Sequence, residues 1–194
     1  MNNRASRFVT YGQWNLVVFV ILCLSLHPGF VLKRDEGGFS NYGIHVKTVI
    51  PYTLTYLGCV IFTLIAAKYL PVGGHNALVL ARLLRSYALL CLLLLVTTYG
   101  YSLNTPLKDV HGVVGLAAMV FDPAASVWLF LHVNTSVWDR ILVGVELAGL
   151  VLGVIDLLNV AHVLFASQAV IAVGFGFLLA RGTHYIERQP RGTS

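Results

Sequence analysis

The amino-acid sequence predicts an all-α polytopic membrane protein, a six-transmembrane-helix bundle with short loops and both termini in the cytoplasm. The mean hydropathy is +0.78, and 57% of the residues are hydrophobic while only 11% are charged. These values lie outside the usual range of soluble domains. Six apolar runs are each long enough to cross a hydrocarbon core of roughly 30 Å. Six spans nearly use up the 194 residues, so we expect residues 1–194 to form a single membrane domain.

The six predicted spans follow one another with little chain between them. They cover approximately residues 13–32, 46–70, 78–99, 110–133, 139–157 and 160–181. The first run resembles the apolar part of a signal peptide, but it ends in "SLHPGF" without an A-x-A-like cleavage site. We therefore expect a retained first helix, followed by a polar segment, "GGFSNYGIH", on the outer side.

The boundary between the last two spans follows from length. Residues 141–181 contain no proline, and one helix of that length would measure about 60 Å, twice the hydrocarbon thickness. The chain must therefore turn. Asp156 and Asn159 are the polar pair able to cap the two helix ends, so the sequence predicts a tight hairpin at residues 156–159.

The distribution of basic residues predicts the orientation. With six spans, nine basic residues fall on the side of the two termini: Arg4, Arg7, Lys68, Arg82, Arg85, Arg140, Arg181, Arg188 and Arg191. Four fall on the opposite side: Lys33, Arg34, Lys47 and Lys108. Because basic residues concentrate in cytoplasmic loops, both termini are expected in the cytoplasm.

Spacing and composition argue against nucleic-acid binding, against a disulfide or metal site built from cysteines, and against a haem carrier. No run of basic residues interleaved with aromatics is present, so nucleic acid is not an expected partner. Cys23, Cys59 and Cys91 each lie in an apolar run without metal-ligand spacing, which indicates small hydrophobic residues rather than disulfides or a metal site. A haem carrier would need facing histidines at one depth, and the third and fifth spans offer none.

Small and polar residues recur at steps of three and four along the last three spans. The fourth span carries His111, Gly115, Ala118, Asp122 and Ala125. The fifth carries Glu146, Gly149, Gly153 and Asp156, and the sixth carries His162, Ala166, Ala169, Val173, Gly176 and Ala180. Such steps place residues on one helix face, and small residues let helices approach closely in lipid. We therefore expect these three spans to contact one another with their polar residues turned inward.

Two acidic residues of these faces lie inside predicted spans. Asp122 lies near the middle of the fourth span, before Pro123, and Glu146 lies about two turns into the fifth. A buried charge costs at least about 2.5–3.5 kcal/mol, so it is normally paired, protonated or hydrated. Arg85 enters the third span to a similar depth, which predicts a buried Arg85–Glu146 ion pair with Asp122 as the alternative partner. A proton or ion relay through Asp122 and Glu146 is the other interpretation.

A second polar group lies at span ends on the predicted outer side. It consists of His45, Asp109, His111, Asp156 and His162. Histidine and aspartate at convergent helix ends can bind a metal, orient water or hold a lipid head group, although no HxxxH or HExxH spacing occurs. Alternatively, these residues cap helix ends and reach water. If the small-residue faces pack together, His111, Asp156 and His162 meet beneath the "SNYGIH" segment, where we expect any ligand site.

The stretch "HPGFVLKRDEGGFSNYG", residues 27–43, combines a proline-glycine-aromatic start with a Ser-x-x-Gly turn. In this it resembles bacterial six-span membrane families of unknown function, and its layout is similar to that of the Frag/DRAM/Sfk families. The resemblance implies a role in lipid handling. It assigns no catalytic residue.

These observations favour a multi-pass protein of the cell membrane that serves as a non-catalytic lipid-handling, transport or accessory subunit. Two alternatives stay open: a metal-dependent membrane enzyme with the outer-face His/Asp site, or a small subunit of a larger membrane complex. The expected partners are the lipid bilayer and other membrane subunits. Whether the protein is an enzyme, and which cofactor it would use, are not determined by the sequence.

Overall fold

A computed structural model describes residues 3–28, 38–71, 74–101, 106–133 and 136–189. Within these ranges the chain is helical and contains no strand, as the sequence predicts. The helices are α1 (Arg4–Leu26), α2 (Phe39–Ile44), α3 (Val49–Tyr69), α4 (His75–Tyr101), α5 (Leu107–His132), α6 (Val137–Leu157) and α7 (Leu164–Arg188). Lys33, Arg34, Arg191 and most of the stretch 27–43 that carries the family resemblance lie outside the described residues.

Five helices are long and apolar enough to cross a membrane: α1, α3, α4, α5 and α7. Their outward faces carry large exposed apolar side chains, such as Val113, Leu116 and Val120 on α5. So much continuous apolar surface would be unfavourable in water, whereas lipid acyl chains cover it without cost. The five helices therefore indicate a multi-pass membrane protein. α6 reaches 21 residues but is interrupted by more charges than the other five.

Tertiary contacts extend α1 and α7 beyond the predicted spans at one end of the bundle, and at its other end α1 stops at Leu26 rather than at residue 32. α1 begins at Arg4 rather than near residue 13, since the Glu187 carboxylate accepts hydrogen bonds from the amides of Ala5 (2.7 Å) and Ser6 (3.1 Å). These are amides that a helix N-terminus otherwise leaves unsatisfied. α7 correspondingly continues to Arg188 rather than to residue 181. The first turn of α1 and the last turn of α7 thus stabilise each other.

The predicted hairpin between the last two long helices is confirmed. α6 ends at Leu157, and Asn159 adopts a left-handed conformation with φ of 56°, which asparagine tolerates better than most residues. The Asp156 carboxylate reaches over the turn and accepts hydrogen bonds from the amides of Val163 (2.9 Å) and Leu164 (3.1 Å). Asp156 therefore caps α7, and α7 begins at Leu164 rather than at residue 160.

The long helices form a closed ring with one helix outside it. α1, α3, α4, α5 and α7 follow one another around the ring, and α7 packs back on α1. α6 lies outside, in the groove between α5 and α7. α5, α6 and α7 therefore contact one another as predicted. The predicted small-residue face of α7 is nevertheless not the face that meets α6, since Gly176 lies against Gln13 of α1 whereas Ser167 and Ile171 face α6.

Two glycines allow α6 to approach α7 closely. A Cβ atom at Gly149 would lie 2.8 Å from Ile171 Cγ1 and 3.0 Å from the Ile171 backbone nitrogen. A Cβ at Gly153 would lie 2.9 Å from Ser167 Oγ, and the Ser167 hydroxyl donates a 2.8 Å hydrogen bond to the Gly149 carbonyl. The predicted Gly149-x-x-x-Gly153 packing face is thus the face that α7 uses.

The short helix α2 occupies a segment for which the sequence predicts an outer loop. Its side chains are instead largely buried, and Tyr42 is fully inaccessible. Phe19 of α1 packs edge-on against both Phe39 and Tyr42, with ring centroids 5.5 and 6.4 Å apart. α2 is therefore a plug that closes one end of the ring.

Candidate functional site

A cavity of about 100 Å³ lies inside the ring, beneath the α2 plug. Ser40, His111 and Gln168 line its upper end, and Tyr87, Cys91 and Asp122 line its lower end. His111 and Asp122 are eleven residues apart on α5, so the cavity extends about 16 Å along the helix axis. A cavity of this kind is large enough for several waters or one small molecule.

The α5 face that was predicted to be a packing surface lines this cavity instead. His111, Gly115, Ala118 and Asp122 all border it, and a Cβ atom added at Gly115 would have no neighbour within 4 Å. Small residues at these positions therefore leave open space between helices rather than bringing helices together. The periodicity was correctly identified, but its interpretation as a contact face is wrong for this part of α5.

His111 connects α2, α4 and α5. Its Nδ1 lies 2.8 Å from Thr97 Oγ1 and its Nε2 lies 2.6 Å from Ser40 Oγ. Because the Thr97 hydroxyl already donates to the Leu93 carbonyl, Thr97 accepts from His111 Nδ1–H, which leaves Nε2 to accept from the Ser40 hydroxyl. The side chain is almost completely buried. This histidine thus holds the plug to the bundle through Ser40, a residue of the "SNYGIH" segment.

A second polar contact fixes the other side of the plug. Gln168 of α7 accepts a 2.7 Å hydrogen bond from the Phe39 backbone amide through Oε1, at the first turn of α2. The Thr48 hydroxyl donates to the Tyr42 carbonyl just after the end of α2 (2.7 Å). Ser40 and Gln168 both line the cavity. The two residues that hold α2 in place would therefore also contact a molecule bound in the cavity.

Asp122 is the acidic group of the cavity. It is only 7% exposed, and its Oδ1 has no hydrogen-bond partner. The side chain borders the cavity beside Tyr87 and Cys91 of α4. A buried carboxyl oxygen without a partner is costly, so this position is a candidate site for a proton or a cation.

Glu146 of α6 is a second buried acid on the far side of Asp122. It is 1% exposed, and neither carboxyl oxygen has a hydrogen-bond partner. The Ser126 hydroxyl, one turn beyond Asp122 on α5, lies next to the Glu146 carboxyl without hydrogen-bond geometry. Asp122, Ser126 and Glu146 therefore form a buried polar row that leads from the cavity toward α6.

The predicted ion pair between Arg85 and Glu146 is not formed. The Arg85 side chain is exposed and borders a groove between α3 and α4, beside Ala67 and Lys68. Glu146 faces α5 and α7 on the other side of the bundle. The two residues lie at a similar position along their helices but not at the same helix interface. The sequence indicates only the position of a residue along its span.

The predicted outer group does not assemble into a metal site. Asp156 caps α7, Asp109 is exposed and His162 is half-buried. His45 packs edge-on against His27 at 4.3 Å between ring centroids, and partial burial, with the His27 and Lys47 charges, lowers its pKa. Within the described ranges, no three His, Cys, Asp or Glu side chains could hold a metal ion. Only His111 of this group borders the cavity.

Sequence reasoning missed several residues that border the cavity: Ser40, Tyr56, Tyr87, Cys91 and Gln168. Most of them are unremarkable residues of apolar spans, with no spacing that distinguishes them from packing residues. Ser40 is the exception, since the polar "SNYG" segment interrupts an apolar chain.

In comparisons with protein-family models, curated proteins and solved structures, nothing matches this chain.

Proposed function

We propose that this protein is a six-span membrane transporter that binds a small organic ammonium ion in the cavity and exchanges it for a proton at Asp122. The buried, unpartnered carboxyl oxygen of Asp122 carries this proposal. Leaving a carboxylate unpaired in apolar surroundings costs several kcal/mol, so either a proton or a cation neutralises it. The two occupants compete for one group, which is the requirement for exchange.

The size and lining of the cavity support a small organic cation. Its volume of about 100 Å³ is below the roughly 150 Å³ of an engineered cavity that holds benzene. The occupant is therefore smaller than benzene and has fewer than six non-hydrogen atoms. Tyr56 and Tyr87 border the same space, and aromatic rings attract organic ammonium groups. A phospholipid is too large for this cavity, which favours transport over the lipid-handling role implied by the Frag/DRAM/Sfk resemblance.

The polar row beyond Asp122 supports the relay interpretation. Asp122 and Ser126 are four residues apart on α5 and so lie on the same face. Glu146 lies next to Ser126. The ligand would displace the proton of Asp122 into the medium from which the ligand enters. After the ligand leaves on the other side, a proton from Glu146 would pass through the Ser126 hydroxyl and restore protonated Asp122, and no arginine is needed in this path.

The position of α6 supports six spans rather than five. α6 is about 31 Å long and packs along both α5 and α7. It runs antiparallel to α7, because Gly149 faces Ile171 and Asp139 contacts Arg181. Asp139, Arg140 and Asp156 lie near its ends, so Glu146 is its one acid or base well inside the hydrocarbon. The nine-to-four distribution of basic residues then favours cytoplasmic termini.

Exchange is measured in proteoliposomes that contain a pH-sensitive dye. We expect external tetramethylammonium, which has five non-hydrogen atoms and no neutral form, to drive protons out and make the interior alkaline. Asp122→Asn should abolish this response. Asp109→Asn should retain it, because Asp109 is an exposed carboxylate on the same helix. Equal fluxes for the two variants, or a native flux no faster than that of protein-free vesicles, would contradict the proposed function.

A further inference from the structure

A separate groove lies on the lipid-facing side of the bundle, between α1 and α7. It has a volume of about 460 Å³ and lies along the first turns of α1 and the last turns of α7. The polar side chains of its lining include Asn3, Ser6, Arg7, Thr10, Arg181 and His184. The interior cavity shares none of these residues, so this groove is independent of the proposed transport function.

The groove has a positive charge that the surrounding protein does not neutralise. Arg181 is paired with Asp139 and also donates to the Ser136 hydroxyl (2.7 Å). The nearby Glu187 carboxylate is occupied by two α1 backbone amides. Arg7, by contrast, makes no ion pair or side-chain hydrogen bond with any residue in the described ranges. Arg7 and His184 are therefore available to an anion.

The lining changes from polar to apolar along the helix axes. Arg7 and His184 lie in the outer turns of the groove, Tyr11 follows one turn deeper, and Trp14 packs edge-on against Phe177 at 6.1 Å beyond it. From Arg7 to Trp14 this is about 10 Å. Tyr11 and Trp14 are each more than half exposed, so the protein leaves the apolar side of this path uncovered.

We propose that this groove binds one phospholipid with an anionic head group. Its phosphate contacts Arg7 and His184, and one acyl chain lies along Tyr11 and Trp14. Basic pockets between membrane helices bind anionic head groups in this way, and tyrosine and tryptophan favour the level of the head groups. A free phosphate would use the basic end alone and would leave the apolar path without an occupant.

Quenching of Trp14 by brominated lipids tests the proposal on the full-length protein in mixed micelles. Trp128→Phe and Trp138→Phe are introduced together so that Trp14 is the only tryptophan. Acyl-brominated phosphatidylglycerol should quench Trp14 at a lower mole fraction than brominated phosphatidylcholine. Arg7→Gln should remove about a fivefold preference, since one basic residue contributes about that factor near an anionic lipid. Arg188→Gln, an equal loss of charge on an exposed residue outside the groove, should leave the preference unchanged.

Three other outcomes would contradict the proposal that the groove binds an anionic phospholipid. Equal quenching by the two lipids means that the groove does not select an anionic head group. An equal loss in Arg7→Gln and Arg188→Gln indicates general surface charge. Loss of the preference on adding millimolar inorganic phosphate indicates a free-anion site instead of a lipid site. If Arg7→Gln does not fold, His184→Gln in the same background takes its place, and an unchanged preference in that variant would contradict the proposal.

Discussion

The contact between α6 and α7 depends on the absence of a side chain at Gly149, and Gly149→Ala tests this directly. The new Cβ would lie 2.8 Å from Ile171 Cγ1 and 3.0 Å from the Ile171 backbone nitrogen. The side-chain atom can rotate away, but the backbone atom can move only with α7. Separating the helices would also lengthen the 2.8 Å hydrogen bond from Ser167 to the Gly149 carbonyl.

The magnitude follows from a matched control on the same helix. Gly144 is exposed, and a Cβ there would have no neighbour within 4 Å. Replacing either glycine by alanine brings the same intrinsic gain in helix stability, about 1 kcal/mol. The difference between the two variants therefore isolates packing, and overpacking a tight contact costs about 1–3 kcal/mol. We expect Gly149→Ala to have a free energy of unfolding lower than that of Gly144→Ala by this amount.

Unfolding in mixed micelles by titration with a denaturing detergent, followed by far-UV circular dichroism, measures this difference. Gly144→Ala should be more stable than the native protein by up to about 1 kcal/mol. Gly149→Ala should unfold at a lower mole fraction of denaturing detergent. Equal midpoints for the two variants would show that α6 and α7 do not pack through Gly149, and the description of α6 as a helix seated on α7 would then be wrong.

Three further predictions concern residues whose environments the structure defines. Glu146→Leu should raise the free energy of unfolding by about 1–3 kcal/mol, because it removes buried oxygens that lack partners. Arg85→Gln should change the free energy of unfolding by less than about 0.5 kcal/mol. A marked loss of stability in both variants would instead support an ion pair between the two residues. Asn159→Val should lower the unfolding free energy by about 1–2 kcal/mol, because a β-branched residue is strained at positive φ, whereas Asn159→Gly should not, and equal effects would argue against the turn. His111→Leu should speed hydrogen exchange of the α2 amides, because the plug loses its contact through Ser40; unchanged exchange would show that other contacts retain it.

The local properties of the chain were determined by the sequence itself. Apolar runs of the required length specify membrane helices because lipid cannot satisfy backbone hydrogen bonds. The hairpin at Asp156 and Asn159 followed from length and polarity, and the Gly149–Gly153 face followed from spacing. Each of these depends on residues that are neighbours along one helix or one turn, so the pattern contains the information needed to identify them.

The cavity and its plug were decided only by tertiary structure. Whether a row of small residues is a contact face or a cavity wall depends on the opposing helix. On α6 the row meets Ile171, whereas at Gly115 of α5 it meets open space. Similarly, Arg85 and Glu146 lie at a similar position along their helices but face different neighbours. The sequence indicates how far along a span a residue lies, whereas the order of the helices around the ring decides which residues it contacts. The burial of α2 required Gln168 and His111, which lie far from it in sequence and meet it only because the ring closes. The sequence alone therefore determined which segments are helical and apolar, and the closure of the ring decided which of their polar residues share a site.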